Sequence, residues 1–348
     1  MVRSIIKIIN KYNAGNFPKS DEINLQSNEN PYPPPKDVID AILKAINLVN
    51  RYPNPEYEEL KIGISEYLNI DVKNIFLGNG IGDCIYNICN TLIESLDQVT
   101  IPMPSYTMYV MYTMLREASL NLPVYPYYDI NFEELAEISS NSKLIFLCSP
   151  NNPTGNSLSL DGIRTLAESF KGYIVIDEAY VEFASKSALK LINKYENIII
   201  LRTFSKFFGL AGLRIGYGIC KDYDVVSALE KVRLPFCISQ ISLHAGIAAL
   251  RCIDYYNKIK EKILRERELL FKKISKLEKL SVFPSDANFL LVKVENNLKL
   301  SEKLRKRKIL VRDVTGLMGL KGEHVRITVG RPDENRALLN ALKDIFKN

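Results

Sequence analysis

Lys206 closes the segment Thr203-Phe204-Ser205-Lys206, directly after the apolar run Ile198 to Leu201 and ahead of Gly209, Gly212 and Arg214. Ser205 offers a hydroxyl, and Arg214 offers a forked, permanently charged guanidinium suited to a phosphate dianion. Gly209 and Gly212 let the backbone turn tightly between lysine and arginine. Alone, Lys206 reads as a surface lysine after a strand. Beside a phosphate-binding group it is what a Schiff-base cofactor needs.

Two further segments end apolar runs: Ser149-Pro150-Asn151-Asn152-Pro153-Thr154-Gly155 and Ile176-Asp177-Glu178-Ala179-Tyr180. Separately they read as a turn and as an acid at a strand end. Together they supply a carboxylate for a protonated ring nitrogen, and an amide and a phenol for a phenolate oxygen. Pyridoxal phosphate presents those groups, and an aspartate opposite its pyridinium tunes it. A fourth segment, Gly78-Asn79-Gly80-Ile81-Gly82-Asp83, precedes a helix expected to begin near Asp83, where backbone amides favour a phosphate. Asp83 stands where the last glycine of a dinucleotide fingerprint belongs, which disfavours an NAD-dependent dehydrogenase.

These segments need a scaffold that gathers strand ends. The runs Ile75 to Leu77, Leu144 to Cys148, Tyr173 to Ile176 and Ile198 to Leu201 have the texture of buried parallel strands. Helical spacing lies between them, as in Ile163, Leu166, Ala167 and Phe170, so the class is α/β. Ligand groups in such a sheet gather beyond the carboxyl ends of the strands. From about His244 one long charged helix is expected, followed by strands at Phe289 to Val294 and Val325 to Val329. The division is an N-terminal arm with part of a small domain (1–45), a large cofactor-binding domain (46–244) and a small C-terminal α+β domain (245–348).

The bulk properties fit a globular enzyme: 47% hydrophobic and 25% charged residues exclude disorder. The net charge of +6 argues weakly for a small anionic ligand and hardly for nucleic acid. The basic run Lys303 to Lys308 reads as a solvated helix face. Six cysteines without a CxxC pair and only two histidines suggest no metal and a reduced, cytoplasmic setting. The start, MVRSIIKIIN, is expected to be neither a signal peptide nor a membrane span.

The motifs NENPYPPP, RYPNP, GNGIGD, PSY, SPNNPTG, IDEAY, RTFSKFFGLAGLRIGYG, NFLL and VRITVGRPDEN stand in the order found in fold-type I pyridoxal-phosphate aminotransferases. From about residue 10 onward the chain resembles that family, and within it the histidinol-phosphate aminotransferase branch. The resemblance implies a large domain with a mostly parallel central sheet flanked by helices, plus the smaller C-terminal domain. It further implies that Lys206 carries pyridoxal 5′-phosphate and then shuttles a proton between the substrate α-carbon and C4′. Asp177 would keep the ring nitrogen protonated, while Asn152 and Tyr180 bond the ring hydroxyl oxygen. Ser205, Arg214 and the amides around Ile81 and Gly82 would bind the phosphate, and Tyr106 would stack on the ring. Tyr52 would reach the phosphate from the partner subunit of a homodimer with shared sites. Arg326 would bind the anionic end of either substrate, and Tyr12 would lie near the substrate phosphate. The implied activity is exchange of an amino group between histidinol phosphate and 2-oxoglutarate, with imidazole acetol phosphate and glutamate as products, in histidine biosynthesis.

The chain departs from the family pattern in three places. Ile81-Gly82-Asp83 lacks one usual acid. Leu234 to Ile238 carries Phe236 where a tyrosine commonly meets the substrate phosphate. Arg336 stands one position early, and no role is assigned to it. Threonine-phosphate decarboxylation and aromatic or broad-specificity transamination therefore remain alternatives. A cofactor-fold module in a transcription regulator would need a DNA-binding domain, for which residues 1–50 are expected to leave no room.

Overall fold

The segments LIFLC and IIILRT are buried at every position, which a strand achieves only when both faces of its sheet are covered. The computed structural model describes residues 1–346. In chain order its strands are β1 (Ile23–Leu25), β2 (Ile75–Gly78), β3 (Gln98–Thr100), β4 (Ser119–Asn121), β5 (Leu144–Cys148), β6 (Tyr173–Asp177), β7 (Ile198–Thr203), β8 (Gly216–Cys220), β9 (Leu280–Val282), β10 (Phe289–Val294), β11 (Ile309–Asp313) and β12 (Glu323–Thr328). Seven of them form one sheet in the order β2-β8-β7-β6-β5-β3-β4. Strands β3 to β7 pair in parallel, while β8 runs against both of its neighbours. The fold is therefore the expected α/β type with a mostly parallel central sheet.

Side chains alternate between the two faces, as strand geometry requires. Ile145, Leu147, Ile174, Ile176, Ile198 and Ile200 join one hydrophobic core. Leu144, Phe146, Val175, Ile199 and Leu201 join the other. The helix Ile81–Leu92 covers the second face through Cys84, Ile85, Ile88 and Cys89. The remaining five strands form a smaller sheet, ordered β1-β11-β12-β10-β9 and antiparallel except where β1 joins β11. Among the described residues, no helix is long and apolar enough to cross a membrane.

Three local expectations change. The helix beside the glycine turn begins at Ile81, ahead of Asp83. The long charged helix is two helices, Gln240–Leu250 and Ile253–Ile274, so the position 244 boundary falls inside the first. Ser239 caps that first helix by accepting the Ser242 amide, and the helix packs on Lys36–Ala45 and Glu58–Leu68; the second packs along β9, β10 and the C-terminal helix. The basic run leaves its helix at Arg305, and Lys308, at φ 64°, pairs with Asp21 at 2.6 Å.

Strand β8, Gly-Tyr-Gly-Ile-Cys, has no clear strand signature because glycine weakens strands, yet close approach requires glycine there. A Cβ at Gly218 would lie 2.1 Å from the Phe76 ring, and one at Gly216 would lie 2.3 Å from the Gly80 carbonyl carbon.

Below the strand ends, Arg202 donates from Nε and Nη2 to Glu178 Oε2 at 3.0 and 2.9 Å, with both side chains almost wholly buried. Glu178 also accepts from Ser187 Oγ and the Ala188 amide, so the carboxylate is fully engaged. Removing only the guanidinium leaves a buried charge without its partner. Arg202→Ala should therefore destabilise the protein by about 3–5 kcal/mol, measured as a lowered midpoint in denaturant unfolding.

Candidate active site

Parallel register sets Cys148 beside Asp177 and Asp177 beside Leu201, so β5, β6 and β7 end at one level. Asn152 follows the first end, Asp177 closes the second with Tyr180 just beyond, and Ser205 and Lys206 follow the third. A cleft of about 540 Å³ opens above them. It is lined by Tyr12, Ile81, Gly82, Tyr106, Asn152, Asp177, Tyr180, Ser205, Lys206, Arg214 and Arg326. Tyr52 alone of the expected set lies elsewhere, 78% exposed and stacked on Phe236 at a 4.4 Å centroid distance.

Lys206 Nζ donates to the Ser27 carbonyl at 2.8 Å and stands 5.7 Å from the centre of the Tyr180 ring. Among the described residues no carboxylate pairs with it. Burial, then the charge of Arg326, bring its ammonium down to about 8, which frees a fraction of nucleophilic amine near neutrality. Asp177 is 3% exposed, and burial pushes its carboxyl up to about 6. Two donors oppose that rise: the Tyr109 hydroxyl to Oδ2 at 2.6 Å and the Ala179 amide to Oδ1 at 2.9 Å. The buried Tyr180 oxygen accepts from Asn28 Nδ2 at 3.0 Å, and burial raises its phenol above the ordinary range.

At the other end of the cleft the chain builds an anion cradle. Among the described residues the amides of Ile81 and Gly82, in the first turn of this helix, have no backbone partner. Arg214, in the left-handed region at φ 54°, reaches Ser205 Oγ with Nη1 at 3.4 Å. Thr203 Oγ1 fixes that serine by hydrogen bonds to its hydroxyl and its amide. Gly80 has φ +82°, and a Cβ there would sit 2.4 Å from Arg214 Nη2, so the glycine turn lets the guanidinium lie against the helix start.

Arg326, on β12, is 9% exposed and donates from Nη1 to Asn152 Oδ1 at 2.5 Å and from Nη2 to the Gln26 carbonyl at 2.6 Å. Its buried Nε has no partner among the described residues. Opposite it on β11 stands Arg312, which the sequence reading missed. Arg312 lines the same cleft, packs 5.8 Å from the Tyr12 ring centre and donates to the Asn13 carbonyl. In sequence it is one more basic residue before an aspartate; the cross-strand pairing with Arg326 is what gives it a place. Tyr12 meets Tyr106 edge to face at 6.5 Å.

The donor set fits pyridoxal phosphate. A buried amine in no ion pair among the described residues, a buried carboxylate, a phenol beside an amide, and an arginine–hydroxyl–amide cradle occupy one cleft of suitable size. The chain matches the family Aminotransferase class I and II over residues 20–342. It is 48% identical over 348 residues to histidinol-phosphate aminotransferase 2 of Archaeoglobus fulgidus, covering 99% of this chain and 100% of that relative. Its fold is similar to the histidinol-phosphate aminotransferase of Sinorhizobium meliloti solved with pyridoxal-5′-phosphate, with a TM-score of 0.85, 27% identity, and coverage of 93% of this chain and 91% of that one. The histidinol-phosphate aminotransferase of Clostridium acetobutylicum gives a TM-score of 0.87 at 28% identity, covering 94% of this chain and 99% of that one.

Because only the neutral amine captures an aldehyde, loading of cofactor-free protein should accelerate as pH rises through about 8 and level off above it. Arg326 contributes to that lowering, so Arg326→Leu should move the midpoint to higher pH. Absorbance of the captured cofactor, followed against pH for both proteins, checks the shift.

Proposed function

The chain belongs to the class I and II aminotransferases, and on that premise we propose that it transfers an amino group from histidinol phosphate to 2-oxoglutarate in histidine biosynthesis. The products are imidazole acetol phosphate and glutamate. The observation that carries this reading is the Arg326–Arg312 pair facing one cleft with Lys206. Two adjacent guanidiniums suit the carboxylate of one substrate and the phosphate of the other, as a ping-pong exchange requires.

When bound, the cofactor supplies a carbonyl that captures amines and a ring that takes up the electron pair of a broken α-carbon bond. Lys206 would hold it covalently and, once freed as an amine, would carry the proton released from the substrate α-carbon. Asp177 keeps the ring nitrogen protonated. Asn152 and Tyr180 donate toward the ring hydroxyl oxygen, Tyr106 covers the ring, and Ser205, Arg214 and the amides at Ile81 and Gly82 hold the phosphate. Arg326 grips the anionic end of the substrate, with Arg312 and Tyr12 beside it.

The protein acts as a cytoplasmic homodimer in this reading. Tyr52 supports the dimer: an exposed, ring-stacked tyrosine outside its own cleft is available to a second copy's phosphate cradle. Six unbonded cysteines support a reducing setting. The seven-stranded sheet supports a large cofactor-binding unit from residue 46, and the five-stranded sheet, which the arm joins through β1, supports a small one that begins after the helix Gln240–Leu250 and not at 245.

Phe236, without a hydroxyl, favours aromatic or broad specificity as a second reading. Spectral half-reactions with histidinol phosphate, threonine phosphate and phenylalanine separate the possibilities: fastest turnover is expected with the first. Carbon dioxide release from the second would establish decarboxylation instead. Wild-type protein should be yellow, and Lys206→Ala should lose the borohydride-reducible cofactor. Arg326→Gln should lower kcat/KM by roughly a hundredfold for both substrates, as expected when one partner of a buried charge pair is removed.

A further inference from the structure

Tyr109 lies behind the cleft wall rather than in it, and its side chain is fully buried. Its ring stacks on Phe146 of β5 at 4.9 Å with an interplanar angle of 2°, which fixes both side-chain torsions by packing. From that seat the hydroxyl donates to Asp177 Oδ2 at 2.6 Å, a short contact for a phenol meeting a carboxylate. The same ring meets Tyr106 edge to face at 5.5 Å. One residue therefore touches both the carboxylate expected to face the ring nitrogen and the aromatic expected to cover the ring.

A buried carboxylate with no lysine or arginine in an ion pair needs donors to stay ionised. Among the described residues Asp177 has two, and the Ala179 amide comes with its own turn. Tyr109 is the one supplied by a different element, the helix Met108–Leu115. The other groups around Asp177 are Lys206, the adjacent Glu178, the phenols of Tyr180, Tyr106 and Tyr128, and the buried thiols of Cys148 and Cys84. None of these donates a hydrogen bond to the carboxylate. Two donors still leave lone pairs on a carboxylate with four acceptor sites, so a ring N–H can be accommodated.

We propose that Tyr109 is a positioning residue for this reaction: its hydroxyl orients Asp177 and holds it ionised toward the cofactor ring nitrogen, while its ring braces Tyr106. The inference rests on the reading of Asp177 as that nitrogen's partner. Loss of the hydroxyl weakens the electron sink and leaves the grip of Arg326 on the substrate untouched, so its effect falls on kcat rather than KM.

In Tyr109→Phe the stack on Phe146 survives and only the hydroxyl goes. Loss of one hydrogen bond to a charged group should raise the Asp177 titration midpoint in the cofactor-free full-length protein by about one pH unit, and lower kcat about tenfold or more with KM little changed. The carboxyl is followed by infrared difference spectra against Asp177→Asn, and 3-fluorotyrosine at position 109, a stronger donor of nearly the same size, should move the midpoint downward. If Asp177→Asn transaminates as well as wild type, the assignment of Asp177 to the ring nitrogen fails. If Asp177→Asn is inactive while Tyr109→Phe leaves midpoint and kcat unchanged, the role of Tyr109 alone is overturned. Should Tyr109→Phe fail to fold, the fluorotyrosine protein decides: a lowered midpoint supports the role and an unmoved one ends it.

Discussion

The register of three parallel strands governs this molecule's chemistry. With Cys148, Asp177 and Leu201 level across β5, β6 and β7, the residues that follow each strand emerge on one rim. A one-residue slip in any strand would turn its side chains to the opposite face and bury the wrong ones. The two hydrophobic cores hold that register, because each strand splits its aliphatic side chains between them. The position of Asp177 relative to Lys206 is thus a product of core packing on both faces of the sheet.

Above that rim, burial sets the electrostatics. It works in opposite senses on the two titratable groups, lowering Lys206 and raising Asp177, because each is penalised in its charged form. Arg326 adds to the lowering of Lys206 across the cleft. The Tyr109 hydroxyl and the Ala179 amide offset the rise of Asp177. The resulting values straddle neutrality, so a modest change in ligand charge can alter either protonation state. Deeper down, Arg202 is shared by two buried carboxylates, Glu178 and Glu182, and the charge of Glu178 adds to the rise of Asp177.

Much of this was legible in the sequence because it is local. Each of the segments Asn151–Gly155, Ile176–Tyr180 and Thr203–Arg214 stands at the end of a short apolar run, and such signals survive without tertiary information. Most of the expected site residues accordingly line one cleft, whereas Tyr52 lies apart. Non-local pairing was not legible. Arg312 gains its place from lying opposite Arg326, Tyr109 from reaching across to Asp177, and β8 from backbones that approach too closely for any side chain. The long helix expected after position 244 splits at Arg251 and Cys252, where no glycine or proline marks the break.

The arm near the N-terminus carries a different kind of consequence. Ile23 pairs with Ile309, the Asn28 amide donates to Thr328 Oγ1 across 300 positions, and the carbonyls of Gln26 and Ser27 accept from Arg326 and Lys206. The arm thus meets partners about 300 positions further along the chain. During synthesis the large sheet can assemble while the ribosome is still at work, but strand β1 of the arm has no strand to pair with until β11 has emerged. A chain interrupted before residue 309 would carry Lys206 and Asp177 on the sheet rim yet lack the wall that Arg312 and Arg326 build.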